Sequence, residues 1–345
     1  MFVRTLSKVL DRNDLGCAEM EEAMEALVEG SVPSEQAAAF LAALRTKGET
    51  RTEIGGAARA LLKKAKTLPG TRPLLMDNCG TGGDCKGTFN ISTAAAFVAA
   101  GGGIPMAKHG NRSVSSMCGA ADVAEALGAE MPDSPERAVS CLDSSGMVLL
   151  FAPHFHPILK NLAPVRKSLG VRTLFNVLGP LLNPAALTHQ VMGVFNPALA
   201  PLLADVLLSL GRRGGMVISG HGDFDELSLS GPNRVVLFSE EGVREALVTP
   251  EDAGLARRDD GELTGGDAEL NASIIEGVLS GREGAARDAV LLNAAAVFVA
   301  SGRAKDWRDG AAMAAESVDS GRAAAVLESI RRFSRKSEQA VPQSA

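Results

Sequence analysis

Tyrosine is absent, tryptophan occurs once, and aromatic residues make up only 4% of the 345 positions. So few rings leave little on which nucleic-acid bases could stack. The 35 basic residues are outnumbered by 41 acidic ones, for a net charge of −6, the wrong sign for a non-specific nucleic-acid binder. Cysteine is sparse too. The five at positions 17, 79, 85, 118 and 141 cannot all pair, and they lack the C-x-x-C units of a zinc site. Free thiols in a reducing compartment are expected. No apolar run reaches the roughly 18 residues of a membrane span, residues 94–100 and 289–300 being the most apolar. The first residues meet charge too early for a signal peptide. The expectation is a cytoplasmic protein with no nucleic-acid or membrane partner.

What is present suits a globular chain of about two domains, with 46% hydrophobic and 22% charged residues. Residues 1–72 read as consecutive helices. Met20, Met24 and Leu27 share one helical face before Gly30, and Ser34 opens a second helix that ends near Gly48. Thr50-x-x-Glu53 is a capping box for a third, which breaks at Pro69-Gly70. From 73 to 345 the texture changes to short apolar runs, glycine-rich turns and alanine-rich helices. Candidate strands are 74–79, 104–108, 147–152, 190–195 and 216–219, with helices such as 92–100 and 122–127 between them. This alternation predicts a larger α/β domain with a central, mostly parallel but mixed sheet flanked by helices. Runs 227–230, 234–238 and 243–248 read as an antiparallel edge meander.

Glycine is abundant, and its placement is informative. Seven of the 37 fall within residues 80–103, about three times an even spread. They begin at a strand end, Asp77-Asn78-Cys79-Gly80-Thr81-Gly82-Gly83-Asp84, and lead through Thr88 and Asn90-Ile91-Ser92-Thr93 into a helix. Bare backbone after a strand lets N–H groups face an anion, and a helix N-terminus adds donors and partial positive charge. Asn90 is placed to cap that helix, and the Ser92 and Thr93 hydroxyls can bond phosphate oxygens or a hydrated cation. The glycine spacing fits neither the dinucleotide fingerprint nor a Walker loop, so a structural turn stays open on spacing alone. A second strand delivers Lys108-His109-Gly110-Asn111-Arg112, with Ser113, Ser115 and Ser116 following. Ligands of open α/β sheets sit beyond strand carboxyl ends, which puts both loops on one cleft and makes Lys108 and Arg112 candidate partners for phosphate. Third, Asp225-Glu226 pairs two carboxylates that a hard cation such as Mg²⁺ would relieve of repulsion, although a solvated acidic turn has the same spacing. His154-x-His156 reads as a structural loop.

These motifs resemble those of the anthranilate phosphoribosyltransferase family. The likeness runs through 80–84, 90–93 and 108–112, continues at Ala121-Asp122-Val123, Val165-Arg166 and Gly170-Val171-Arg172-Thr173, and includes Phe175-Asn176-Val177-Leu178-Gly179-Pro180-Leu181 and Asp225-Glu226. It implies transfer of the phosphoribosyl group of phosphoribosyl pyrophosphate (PRPP) to the amine of anthranilate, with release of pyrophosphate, in tryptophan biosynthesis. It implies PRPP at Gly80, Gly83, Asp84, Thr88, Asn90, Ile91, Ser92, Thr93, Lys108 and Ser116. Anthranilate would sit at Gly80, His109, Asn111 and Arg166, with Lys108, His109 and Arg112 nearest the chemistry. Two Mg²⁺ ions per subunit would lie at Ser92, Asp225 and Glu226. It further implies a helical domain spanning 1–72, an α/β domain spanning 73–345, a segment near 160–185 packing back onto the helices, and a homodimer. Two departures stand out. Ala120 occupies a place where the family often has serine, and the turn 219–224 ahead of the carboxylate pair differs. A pyrimidine nucleoside phosphorylase shares the architecture and would take inorganic phosphate and a nucleoside; a non-catalytic nucleic-acid-binding relative is the more distant alternative.

Overall fold

The structure, a computed structural model, describes residues 2–84, 86–113 and 117–340, with side chains to residue 335. Four helices open the chain: α1 (Phe2–Leu10), α2 (Cys17–Val28), α3 (Ser34–Lys47) and α4 (Arg51–Lys63). The expected capping box forms: Glu53 N–H donates to Thr50 Oγ1 at 3.3 Å, and Thr50 N–H to Glu53 Oε2 at 2.8 Å. Glu53 is fully buried and does more than cap. Its other oxygen accepts Leu15 N–H at 2.9 Å, and the Lys47 ammonium lies 2.9 Å from Oε2. One local signal thus ties α4 to the turn before α2. A second observation concerns the far segment. Leu162, Val165, Leu174, Phe175 and Leu178 share the apolar cluster of Met24, Phe40, Leu44 and Leu61.

A seven-stranded sheet follows, formed by β1 (Met76–Asp77), β2 (Met106–Gly110), β3 (Met147–Phe151), β4 (His189–Gly193), β5 (Gly214–Ser219), β6 (Asn233–Ser239) and β7 (Gly242–Val248). Their order is β3-β2-β1-β4-β5-β6-β7. β1 to β5 run parallel, and β6 and β7 add on antiparallel. Between them lie α5 (Ile91–Gly101), α6 (Ala120–Ala126) and α7 (Pro135–Ser145). α5 is apolar almost all round and is buried from Thr93 to Ala100, packed in one cluster with the equally apolar helix Ala285–Ala300. Among the described residues no helix is long and apolar enough to cross a membrane. Cys17, Cys79, Cys118 and Cys141 are reduced, outside any disulfide, and Cys85 lies outside the described residues.

Two expected strands differ. The run 227–230 is not a strand, because side-chain amides take its backbone groups. Asn233 Oδ1 accepts Ser228 N–H at 2.7 Å, Asn233 Nδ2 donates to Ser228 C=O at 3.1 Å, and Asn293 Oδ1 accepts Leu227 N–H at 2.9 Å. β6 therefore pairs directly with β5. The run 74–79 gives only two strand residues, since Leu75 N–H is taken by the Thr188 hydroxyl. The ladder to β4 lapses at Asn78 and returns as a single bridge, Gly80 to Gly193.

Candidate active site

β1 is the strand from which the chain first builds to one side, through β2 and β3, and then returns to the other through β4 and β5. Ligands of open α/β sheets lie outside such a reversal. A cleft of about 1,040 Å³ opens there, lined by the loops after β1, β2 and β4 and by residues 163–182.

The loop after β1 is held by very close backbone contact. Thr81 N–H donates to Gly193 C=O at 2.9 Å, and Gly193 N–H to Cys79 C=O at 3.2 Å. A Cβ on Gly193 would fall 1.7 Å from the Asp225 carbonyl oxygen, and one on Gly80 would fall 2.7 Å from Asp225 Oδ2. Only bare backbone lets the carboxylate loop rest there. Gly82 and Gly83, with φ of +65° and +83°, then turn the chain so that Gly82 N–H reaches Asp225 Oδ2 at 2.7 Å. Thr81 Oγ1 and Thr93 Oγ1 are buried without a hydrogen-bond partner. Both residues line the cleft, so a ligand oxygen would satisfy two hydroxyls that are otherwise costly to bury.

The carboxylates gather against this loop. Glu226 Oε1 accepts Ser92 N–H at 3.2 Å, placing an acid on the first turn of α5. Asp225 shares a hydrogen bond with Asp84. Burial, with Glu226 and Asp84 beside it, pushes the Asp225 carboxyl well above its ordinary range. Burial raises Glu226 to about 7 against the pull of Lys108 and Ser92. Three acids thus crowd one corner. Among the described residues no three His, Cys, Asp or Glu side chains form a finished ligand set. Mg²⁺ fits such a corner, because it binds through one or two carboxylates and takes its other ligands from water and phosphate. Asp225, Glu226 and the Ser92 hydroxyl are the donors that would hold it.

Lys108 lies in β2 and is 2% exposed. Its ammonium donates to Asn78 C=O at 3.2 Å and sits 3.5 Å from Asn78 Oδ1, so its hydrogen-bond partners are uncharged. Next to it, His109 is also buried. Its ring bonds the Gly179 backbone, and Nε2 has no partner. Burial, with His156 packed edge-on at 5.5 Å, lowers its pKa to about 3. The imidazole is neutral. Behind both residues lies Asp77, which accepts His109 N–H at 3.4 Å and Asn183 Nδ2 at 2.8 Å. Asn183 also donates to Ala107 C=O at 2.7 Å, fastening the 179–183 turn to the floor of the cleft.

Of the other expected residues, Gly80, Gly83, Asn90, Ser92, Thr93, Asn111, Arg112 and Arg166 line the cleft, whereas Asp84, Thr88 and Ile91 are not among its walls. Thr88 bridges to Thr264, and Ile91 is core, its N–H donated to Phe89 C=O at 2.8 Å. Ser116 and Ser115 lie outside the described residues. Asn90 takes the N-cap position of α5, but its side chain makes no capping bond. Its Nδ2 donates to Cys118 C=O at 3.2 Å, and its Oδ1 accepts Asn271 Nδ2 at 2.9 Å, which joins the loop before α6 to the C-terminal half. Arg112 is not a free cation: it pairs with Asp122 at 2.9 Å and with Glu125. Arg166 lies over the Phe175 ring at 5.0 Å. Sequence reasoning passed over Arg172, Phe195 and His156 as site residues, although all three line the cleft. The signal for Arg172 was its place beside Thr173 within a long motif.

The chain matches two family models: the glycosyl transferase family helical bundle domain over residues 3–65 and the glycosyl transferase family a/b domain over residues 72–324. It is 48% identical over 323 residues to the anthranilate phosphoribosyltransferase of Anaeromyxobacter dehalogenans (strain 2CP-C), covering 94% of this chain and 96% of that one. The crystal structure of anthranilate phosphoribosyltransferase from Thermus thermophilus superposes with a TM-score of 0.90 at 43% identity, covering 96% of this chain and 99% of that one. The Saccharomyces cerevisiae enzyme in complex with PRPP and Mg gives a TM-score of 0.88 at 28% identity, covering 97% and 98%.

Proposed function

The chain belongs to the anthranilate phosphoribosyltransferases of the glycosyl transferase family, and from that premise we propose how its cleft divides the work. The reaction moves the phosphoribosyl group of PRPP to the amine of anthranilate, a step of tryptophan biosynthesis. PRPP is assigned to the glycine loop, where the unpartnered Thr81 and Thr93 hydroxyls, Asn90 and Lys108 line one cleft. Asp84, Thr88 and Ile91 complete that assignment from outside the walls, and Ser116, outside the described residues, is assigned to PRPP with them. Mg²⁺, at two ions per subunit, is assigned to Ser92, Asp225 and Glu226. When bound it neutralises diphosphate oxygens. The observation that carries this reading is the meeting of a buried ammonium, Lys108, with carboxylates that form no ion pair among the described residues, on bare backbone at the end of β1.

Displacement at the anomeric carbon develops positive charge on the sugar and negative charge on the leaving diphosphate. The protein's task is to fix the sugar, stabilise the departing charge and place the nucleophile. Lys108 and the Thr81 and Thr93 hydroxyls serve the leaving group. Anthranilate is assigned to the other end, among His109, Asn111, Arg166 and the apolar side chains Leu159, Phe175, Leu178 and Leu182, with Gly80 between the two substrates. The guanidinium fork of Arg166 suits a carboxylate. An aryl amine is already neutral at pH 7, so no base is needed before attack. His109, neutral with Nε2 open, accepts a hydrogen bond from that amine and orients its lone pair. Arg112, held by Asp122 and Glu125, orders the start of α6 and acts at one remove. The cytoplasm is the proposed location. A homodimer through the helical bundle is supported by Val3 and Leu10, apolar and exposed on α1.

The test is direct. Protein, PRPP, Mg²⁺ and anthranilate are mixed and the loss of anthranilate fluorescence is followed, with phosphate plus thymidine or uridine as the control. Turnover only in the control would reject the proposal.

A further inference from the structure

Two arginines on one segment stand over two phenylalanines. Arg166 lies over Phe175 at 5.0 Å, and Arg172 lies over Phe195 at 3.9 Å. All four line the cleft. Arg172 makes a further contact: its Nη2 donates to the carbonyl of Gly83. Gly83 belongs to the loop after β1, whereas Phe195 follows the end of β4. Arg172 comes from the segment whose neighbours Leu174 and Phe175 pack with the helical bundle. A single side chain therefore joins three walls. A ring beneath the guanidinium fixes its plane at low entropic cost. The Gly83–Asp84 peptide is trans, so a carbonyl held toward Arg172 sends the Asp84 N–H the opposite way.

Arg112 is the useful contrast. Its charge is met by two carboxylates of α6. The described contacts of Arg172 are a carbonyl and a ring, neither of which cancels its charge. Arg172 is thus a cation available beside the glycine loop, in addition to Lys108.

Resting on the proposal that PRPP occupies this loop, we infer that Arg172 is its positioning residue: stacked on Phe195 and bonded to Gly83, it holds the loop in its anion-accepting shape. Its uncancelled charge also favours the diphosphate over an uncharged ligand. Arg166 serves the carboxylate of the second substrate, so the segment 163–178 bears on both substrates through two arginines six residues apart.

Arg172→Met keeps an apolar stem over Phe195 and removes the charge and the donors; Arg172→Lys keeps the charge. Both are compared with the unaltered enzyme in two-substrate kinetics and in product inhibition by inorganic pyrophosphate. Arg172→Met is expected to raise KM for PRPP about tenfold, the worth of one charge-assisted hydrogen bond. It should weaken pyrophosphate inhibition by the same factor, with kcat and KM for anthranilate within about twofold. Arg172→Lys should fall between. Unchanged PRPP KM and pyrophosphate inhibition would overturn the inference, as would lower kcat with both KM values intact, the mark of fewer folded molecules. If Arg172→Met does not fold, Phe195→Leu decides, with a smaller rise in PRPP KM expected and no rise overturning it. Failure of the unaltered enzyme to consume anthranilate with PRPP would reject the reading of the cleft itself. Normal turnover with indifferent variants rejects the role of Arg172 alone.

Discussion

Gly82 donates its backbone N–H to Asp225 Oδ2 at 2.7 Å across 143 positions of sequence. This bond makes the phosphate loop and the carboxylate pair one object, so a change in the charge of the pair is felt by the loop. Asp225→Asn with Glu226→Gln should abolish most of the Mg²⁺ dependence of PRPP use and lower kcat/KM for PRPP by more than about tenfold. Unchanged response to Mg²⁺ in a metal titration would reject the assignment.

The same pair predicts a pH effect on metal affinity. Glu226 near 7 is half protonated at neutral pH in the metal-free protein, and a bound cation must displace that proton. Mg²⁺ binding should strengthen from about pH 6 to 8 and release protons, which calorimetry in buffers of different ionisation enthalpy would count. For the metal-free fold the sign is opposite. A raised carboxyl pKa favours the folded state as pH falls from about 7 toward 4.5.

Close backbone contact sets a steric prediction. A Cβ at Gly193 would lie 1.7 Å from a carbonyl oxygen that cannot swing aside. Gly193→Ala should cost roughly 3 kcal/mol or more and remove activity. Gly82→Ala meets no atom within 4 Å but must hold φ near +65°. It should cost about 1–2 kcal/mol and leave a folded protein. Thermal unfolding of the two variants separates these outcomes; equal losses would show that packing at Gly193 is not what forbids a side chain.

Arg166→Ala should raise KM for anthranilate by at least about tenfold and alter KM for PRPP by about twofold at most. Equal effects on both substrates, measured by varying each at saturation of the other, would remove its assignment to the carboxylate.

His109 makes the fold acid-sensitive. Its pKa is about 3 in the folded chain against 6.5 ordinarily, so the unfolded chain binds the proton more readily. The stability tied to this is complete above about pH 6.5 and is lost as pH falls from there toward 3. The whole effect is about 4–5 kcal/mol. His109→Gln should flatten the fall in unfolding free energy between about pH 6.5 and 4.5, as read from urea titrations. An unchanged slope would mean that the ring is not held neutral.

Local signals were the legible ones. Thr50 and Glu53 announced their helix because a capping box is written within four residues, and the glycine run announced a loop because bare backbone after a strand either turns sharply or faces an anion. The failures share a cause: a residue's partner lay far away in sequence. Asn90 looked like a cap, but Cys118 and Asn271 compete for its amide. Run 227–230 looked like a strand, but Asn233 and Asn293 take its backbone groups. Arg112 looked free, but Asp122 and Glu125 return on the next helix to claim it. Arg172 was overlooked for the converse reason, since nothing adjacent to it names Gly83 or Phe195.

β1 contributes only two residues to the ladder, and beyond Met76 its neighbour β2 is met on that side by side chains: Asp77 at His109 N–H, Asn183 at Ala107 C=O, and Lys108 reaching Asn78. The middle of the sheet is thus stitched by groups that also shape the cleft. In most sheets the edges exchange their amide hydrogens first and the centre last. Here the central amides around 77–80 and 107–109 are the ones whose exchange should slow most when the cleft is filled, while β6 and β7 keep their own pace.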